Sequence, residues 1–304
     1  MKNNTSLGIL FSLIAASINA SIGIVSLNLI NSGLSPEETA FYKTFIAFVF
    51  TFIILSRFSQ KHQIKNISPD KPKHIVLIQI AFCSLLGIFT LFFFETVAYN
   101  FGSPPNVVVT LMASAAISAL VFGFLLLKEK ISTNSVLGTL LAVVGIAIIS
   151  WKGEINTYLL VNASIAGIGY GCFSVFIKKF QLNGGLFLTK YLLLFGSIYL
   201  FISAIPEIGT IVINKKVIFG ILFLAIFPTI IGFYCTTMAL KYLSPSKVQV
   251  TELSEPIFSV LLTLIFLHTI PNSSFFVGAA LIIMGIILIN NIFIKSKSLD
   301  TTIK

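Results

Sequence analysis

The chain is poor in charge, cysteine and histidine, and each shortage removes a class of function. Charged residues make up 10% of its 304 residues against 56% hydrophobic ones, with a mean hydropathy of +1.00. A soluble domain is about a quarter charged, so a soluble enzyme or binding module is excluded. Cys83, Cys172 and Cys235 all lie in apolar stretches, at spacings that fit no metal site and odd in number. They read as packing residues. His62 and His74 lie in or beside one polar loop and His268 near a helix end, so no metal-ligand cluster is expected. No P-loop is present to hydrolyse ATP. No cofactor and no metal are expected, and any driving force comes from gradients or from substrate exchange.

What is abundant is apolar text. Charge-poor stretches bounded by turn signals predict an all-α integral membrane protein with ten transmembrane helices, at 7–29, 39–55, 75–98, 106–127 and 135–149, then 158–177, 186–205, 217–240, 248–267 and 275–294. Asn31, Ser32, Gly33 and Pro36 punctuate the first join, and Asn183, Gly184 and Gly185 the join after the sixth segment. Lys2 precedes a first run too long for a signal-peptide core, which is expected to stay as the first span.

The net charge of +10 does not point to nucleic acid, because the cations are dispersed among loops between apolar segments. Arg57, Lys61, Lys65, Lys71, Lys73, Lys128, Lys130, Lys178, Lys179, Lys190, Lys241 and Lys247 fall on one side with the terminal Lys2, Lys295, Lys297 and Lys304. Only Lys152, Lys215 and Lys216 fall on the other, with Glu37, Glu38 and Glu207. That asymmetry predicts both termini in the cytoplasm.

The two halves, 1–150 and 151–304, read as copies. Laying 96–110 on 237–251 matches Thr96 with Thr237, Ala98 with Ala239, Ser103 with Ser244, Pro104 with Pro245, Val107 with Val248, Val109 with Val250 and Thr110 with Thr251. Farther on, Gly138 and Gly145 answer Gly278 and Gly285. Ser followed by Pro suits a helix start, with the serine as cap and the proline at the first helical position. Because five spans is an odd number, the second copy enters the membrane inverted, the arrangement that alternating access uses.

Four charges fall where the predicted spans place hydrocarbon or nearly so: Lys43, Glu95, Glu252 and Glu255. Each costs about 2.5–3.5 kcal/mol to insert and so needs a watery cavity or a partner. Glu255, nearest the midplane and followed by Pro256, is read either as a carboxylate that binds a cation or proton or as a structural acid. Pro256 frees a backbone carbonyl near Glu252 and favours a kink. Glu252 reads as an acid stabilised by a helix N-terminus and Lys247. Lys43 either pairs inside the bundle or, as its distance from the outer interface favours, snorkels out. Glu95 lies near an outer end, open to solvent or to a site. Asn19, Thr110, Ser114, Tyr170, Tyr234 and Thr251 supply polar groups that either line a shared cavity or glue helices. Gly167 and Gly171 form a small-residue step suited to close packing.

These residues resemble the drug/metabolite transporter superfamily, in its ten-helix EamA type with two EamA repeats. The resemblance runs through Leu125, Leu126, Leu127, Lys128 and Glu129, then Gly138 and Gly145, and in the second half Glu255, Pro256, Gly278 and Gly285. Three positions depart from the pattern: Ala115 for a frequent proline, Lys43 for a frequent arginine, and His268-Thr269 for a frequent acid. The resemblance implies a carrier in the bacterial inner membrane, often an exporter of amino acids, amines or related metabolites. Its partners would be a small-molecule substrate and membrane lipid, with the central cavity lined by both repeats. A membrane enzyme acting on a lipid-linked substrate would need a loop-borne acid/base or metal cluster that the sequence lacks. A membrane scaffold would leave the midplane charges without purpose.

Overall fold

A computed structural model describes residues 4–129, 132–150, 156–207, 214–267 and 273–290; Lys2, Lys130, Lys152, His268, Thr269, Lys295, Lys297 and Lys304 lie outside them. All regular structure among the described residues is helical. The first half contains α1 (Thr5–Asn19), α2 (Ile22–Asn31), α3 (Pro36–Leu55), α4 (Gln60–Ile67), α5 (Lys73–Ser84), α6 (Leu91–Ala98), α7 (Pro104–Leu127) and α8 (Thr133–Ser150). The second contains α9 (Thr157–Lys179), α10 (Leu186–Ala204), α11 (Lys215–Leu224), α12 (Phe233–Tyr242), α13 (Pro245–Glu252), α14 (Glu255–Leu267) and α15 (Ser273–Asn290).

Among the described residues eight helices, counting α1–α2, α5–α6 and α11–α12 each as one continuous path, are long and apolar enough to cross a membrane, and Thr133–Ile149 is a shorter apolar helix. Their outer faces are apolar: Ile53, Ile78, Phe219 and Phe276 are all largely exposed. Such a surface is unsuited to water and suited to lipid.

Local chemistry explains where helices start and break. Ser35 accepts from the Glu38 backbone N–H at 3.1 Å while the Ser35 N–H donates to Glu38 Oε2 at 3.0 Å, a reciprocal cap with Pro36 in the first turn. Glu38 is therefore buried at the helix start, held by its cap. Ser103 and Ser244 do stand at the N-caps of α7 and α13, each followed by proline, but neither hydroxyl closes the cap. Pro256 has no N–H for the Glu252 carbonyl, and the chain turns at Leu253–Ser254 between α13 and α14. Its mate in the first half is Ala115, and α7 runs unbroken.

The third segment of each half carries a π-helical stretch, Leu85–Thr90 and Ala225–Gly232. The register that lays Thr96 on Thr237 superposes them, so the copies share a backbone irregularity of the kind found at functional sites. The glycine mates meet across the seam between α8 and α15. A Cβ on Gly145 would lie 2.6 Å from the Gly278 carbonyl and one on Gly138 would lie 2.8 Å from that of Gly285. Low residue numbers on one helix thus face high ones on the other, an antiparallel, two-fold contact between repeat mates. Gly145→Ala is expected to cost about 1–3 kcal/mol by overpacking this seam, read as a lower unfolding midpoint of the detergent-solubilised protein.

Candidate functional site

α1, α3, α6, α7, α9, the second π-helical stretch and α14 converge on a small cavity of about 30 Å³ lined by Asn19, Lys43, Glu95, Tyr170, Thr229 and Glu255, with Phe92 and Phe233 among its walls. That is room for about one water. The π-helical stretch contributes Pro228 and Thr229, and the end of α1 contributes Asn19, just before the turn at Ala20–Ser21.

Lys43 does not snorkel. It is 1% exposed, its Nζ lies 3.9 Å from Glu95 Oε2, and the ammonium sits 4.1 Å from the centre of the Phe92 ring. Packing of α3 against α6 brings the two charges together, and the aromatic face completes the shell of the cation. Glu95 is 7% exposed rather than solvated, and its other oxygen accepts from Tyr99 Oη at 3.2 Å.

Glu252 is fully buried and does not lean on Lys247. Tyr170 Oη donates to one of its oxygens at 2.7 Å and Thr236 Oγ1 to the other at 2.8 Å. Both oxygens are therefore satisfied by hydroxyls from α9 and α12, which ties the carboxylate into the frame of the site.

Glu255 is different. It is 7% exposed, and no hydrogen bond reaches its carboxylate among the described residues. Besides the central cavity it lines a second one of about 360 Å³, with Gly23, Pro104, Val108, Pro256 and Ser259. The second cavity has the size of a small-molecule site. The break before α14 places Glu255 between the two spaces.

The remaining predicted polar residues lie elsewhere. Thr110 and its mate Thr251 each bond the carbonyl four residues back, Asn106 at 2.9 Å and Lys247 at 2.7 Å, and Thr251 also accepts from Asn290 Nδ2 at 3.2 Å. Ser114 stands against Gly167 in the seam between α7 and α9, where Gly171 likewise meets Ala115. Tyr234 packs edge-on against Phe11, the ring centres 6.2 Å apart. Sequence reasoning missed Tyr99, Thr229 and Thr236. Tyr99 had a signal, lying one helical turn after Glu95.

At the end of the bundle away from the second cavity the halves are stitched together. Ser246 Oγ donates to Glu129 Oε2 at 3.3 Å, and burial raises the Glu129 carboxyl above its ordinary value. Asn183 N–H donates to the Ile67 carbonyl at 2.8 Å, and Lys190 Nζ donates to Gln63 Oε1. Among the described residues no cluster of three His, Cys, Asp or Glu side chains could hold a metal ion.

Comparison with known proteins fits this architecture. An uncharacterized transporter of Archaeoglobus fulgidus is 25% identical over 176 residues, which cover 58% of this chain and 64% of that protein, so the match spans less than two thirds of the relative. The uncharacterized transporter YvbV of Bacillus subtilis is 25% identical over 221 residues, 71% of each chain. A crystal structure of a protein 17% identical superposes with a TM-score of 0.75 over 94% of this chain and 98% of that one, and shares the fold. The model of the EamA-like transporter family matches twice, at residues 6–151 and 157–291. Two repeats, mated glycines and matched π-helical stretches in one membrane-embedded chain have a single source: the protein belongs to the EamA-like transporter family.

Proposed function

We propose that the protein is a secondary carrier of the bacterial inner membrane that exports amino acids or related amine-bearing metabolites by alternating access. The halves 1–150 and 151–304 would form two inverted five-helix repeats. The broken pair α13–α14 and the short α8 would complete ten spans, with both termini cytoplasmic. The cation-rich loop holding Arg57, Lys61, Lys65, Lys71 and Lys73 would then face the cytoplasm and Lys215 and Lys216 the outside, as the distribution of positive charge favours.

One observation carries this reading: Glu255 is a buried carboxylate that no hydrogen bond reaches among the described residues and that lines two cavities at a helix break. A structural acid at that depth would be satisfied as Glu252 is. An unpaired one suits an ammonium group or a proton that arrives and leaves. With the second cavity beside the first turn of α7, and the far end stitched by Ser246–Glu129 and Asn183–Ile67, the conformation would, in that orientation, be one open toward the outside.

The test is to express the chain in a bacterial host sensitive to excess amino acids and toxic analogues, and to measure the radiolabelled compound retained across a panel. Lower retention of one amine-bearing compound than in cells with an empty vector is expected. Unchanged retention across the panel, with the protein shown to be inserted and folded, would overturn export of this class.

A further inference from the structure

The loop between α3 and α5 holds a second cavity-bearing site that transport chemistry does not use. Lys61 and Lys65 lie one turn apart on α4, which buries Ile67 against the bundle and whose buried Ile64 lines the same cavity as the two lysines. Lys71 and Lys73 approach from the start of α5. Together with Ser68 and Pro69 they line a cavity of about 440 Å³. Asp70 is the only acid between Arg57 and His74. Lys61, Lys65 and Lys73 are exposed, and among the described residues no carboxylate pairs with them. No side chain caps the N-terminus of α5, which begins at Lys73, so its first N–H groups also face this region.

The cavity is built rather than a chance gathering of surface lysines. Lys71 Nζ donates to Gln79 Oε1 at 3.2 Å and to the Phe180 carbonyl, and Asn183 Nδ2 donates to the Asn66 carbonyl at 3.1 Å. Both contacts fasten the loop to the far end of α9, in the other half. Directly below the lysines, Ile75, Ile78, Phe82 and Leu85 form an exposed apolar stripe at helical spacing. A soluble anion would use the lysines and ignore the stripe. A molecule with a phosphodiester head and acyl tails uses both, and basic pockets at the ends of transmembrane helices suit such headgroups.

We propose that this cavity binds the headgroup of an anionic phospholipid, with its acyl chains along Ile75, Ile78, Phe82 and Leu85. The site requires only that the loop lie at a membrane surface and is independent of what the carrier transports. Because the loop is bonded to the second half, a bound lipid would hold the two halves together at this end.

The experiment places the full-length protein in nanodiscs of phosphatidylcholine mixed with phosphatidylglycerol, releases it, and counts retained lipids by native mass spectrometry. The comparison protein carries Lys61→Gln, Lys65→Gln and Lys73→Gln and keeps the structural Lys71. Each lysine near an anionic surface contributes about fivefold, so apparent phosphatidylglycerol affinity should fall by roughly a hundredfold in the triple variant. An unchanged unfolding midpoint in pure phosphatidylcholine serves as the folding control. Should the triple variant fail that control, single substitutions at each lysine, each expected to cost about fivefold, give the same reading. Retention that is equal for the two lipids, or unaffected by the substitutions, would overturn the proposal. Inorganic phosphate is the competing arm: displacement of the lipid by millimolar phosphate would reassign the site to a soluble anion.

Discussion

Glu255→Gln is expected to abolish net transport while leaving the protein folded. The side chain keeps its size and its place between the two cavities, and no hydrogen bond within the described residues depends on its charge. What is lost is the attraction for a cationic group in a poorly solvated site. Removing one partner of such a pair costs about 2–5 kcal/mol, so affinity for an amine-bearing substrate should fall by at least about thirtyfold. Glu252→Gln makes the contrast. Its carboxylate is held by Tyr170 and Thr236, and its loss should lower stability before it alters substrate affinity. Binding is read on purified protein, with the compound that the export panel identifies. Wild-type affinity in Glu255→Gln would remove the residue from the mechanism.

Lys43→Met is expected to destabilise the protein by about 3–5 kcal/mol, because Glu95 is left as an uncompensated buried charge beside Phe92. Adding Glu95→Gln should recover most of that loss, since removing both charges leaves an amide that still accepts from Tyr99. Unfolding midpoints of the four proteins in one detergent complete the double-mutant cycle. A single substitution as mild as an exposed ion pair, below about 1 kcal/mol, would place this pair in water and contradict the geometry.

The fold was legible in the sequence because its signals are local or repeated. Apolar runs and turn residues located a helical path in every predicted segment, residues 291–294 of the last lying outside the described ones, and Pro256 marked the break before α14. The Gly138–Gly145 and Gly278–Gly285 mates marked the repeat, and the structure shows that they meet in a seam. Less was legible at the site. Lys43 could be read as a snorkelling residue because Glu95 and Phe92 are brought to it only by packing of α3 against α6. Glu252 looked like a helix-end acid because its partners Tyr170 and Thr236 come from two other helices. The turn at Ala20–Ser21 has neither proline nor glycine to mark it. The short α4 was hidden in a charged loop, where two isoleucines are too few to set a period. Thr110 and Thr251 were recognised as mates, but in both a carbonyl four residues back satisfies the hydroxyl within its own helix.

The most direct test of the carrier reading is access to the second cavity. Ser259, half-buried in its wall, would be replaced by cysteine in a protein whose own buried Cys83, Cys172 and Cys235 have been substituted. An impermeant maleimide is then applied to sealed vesicles from one side or the other, with and without substrate. The account predicts labelling from the outside in the absence of substrate, little from the cytoplasmic side, and a change in outside labelling when substrate shifts the population between the two access states. Labelling from both sides at once, or labelling that substrate does not alter, would contradict alternating access.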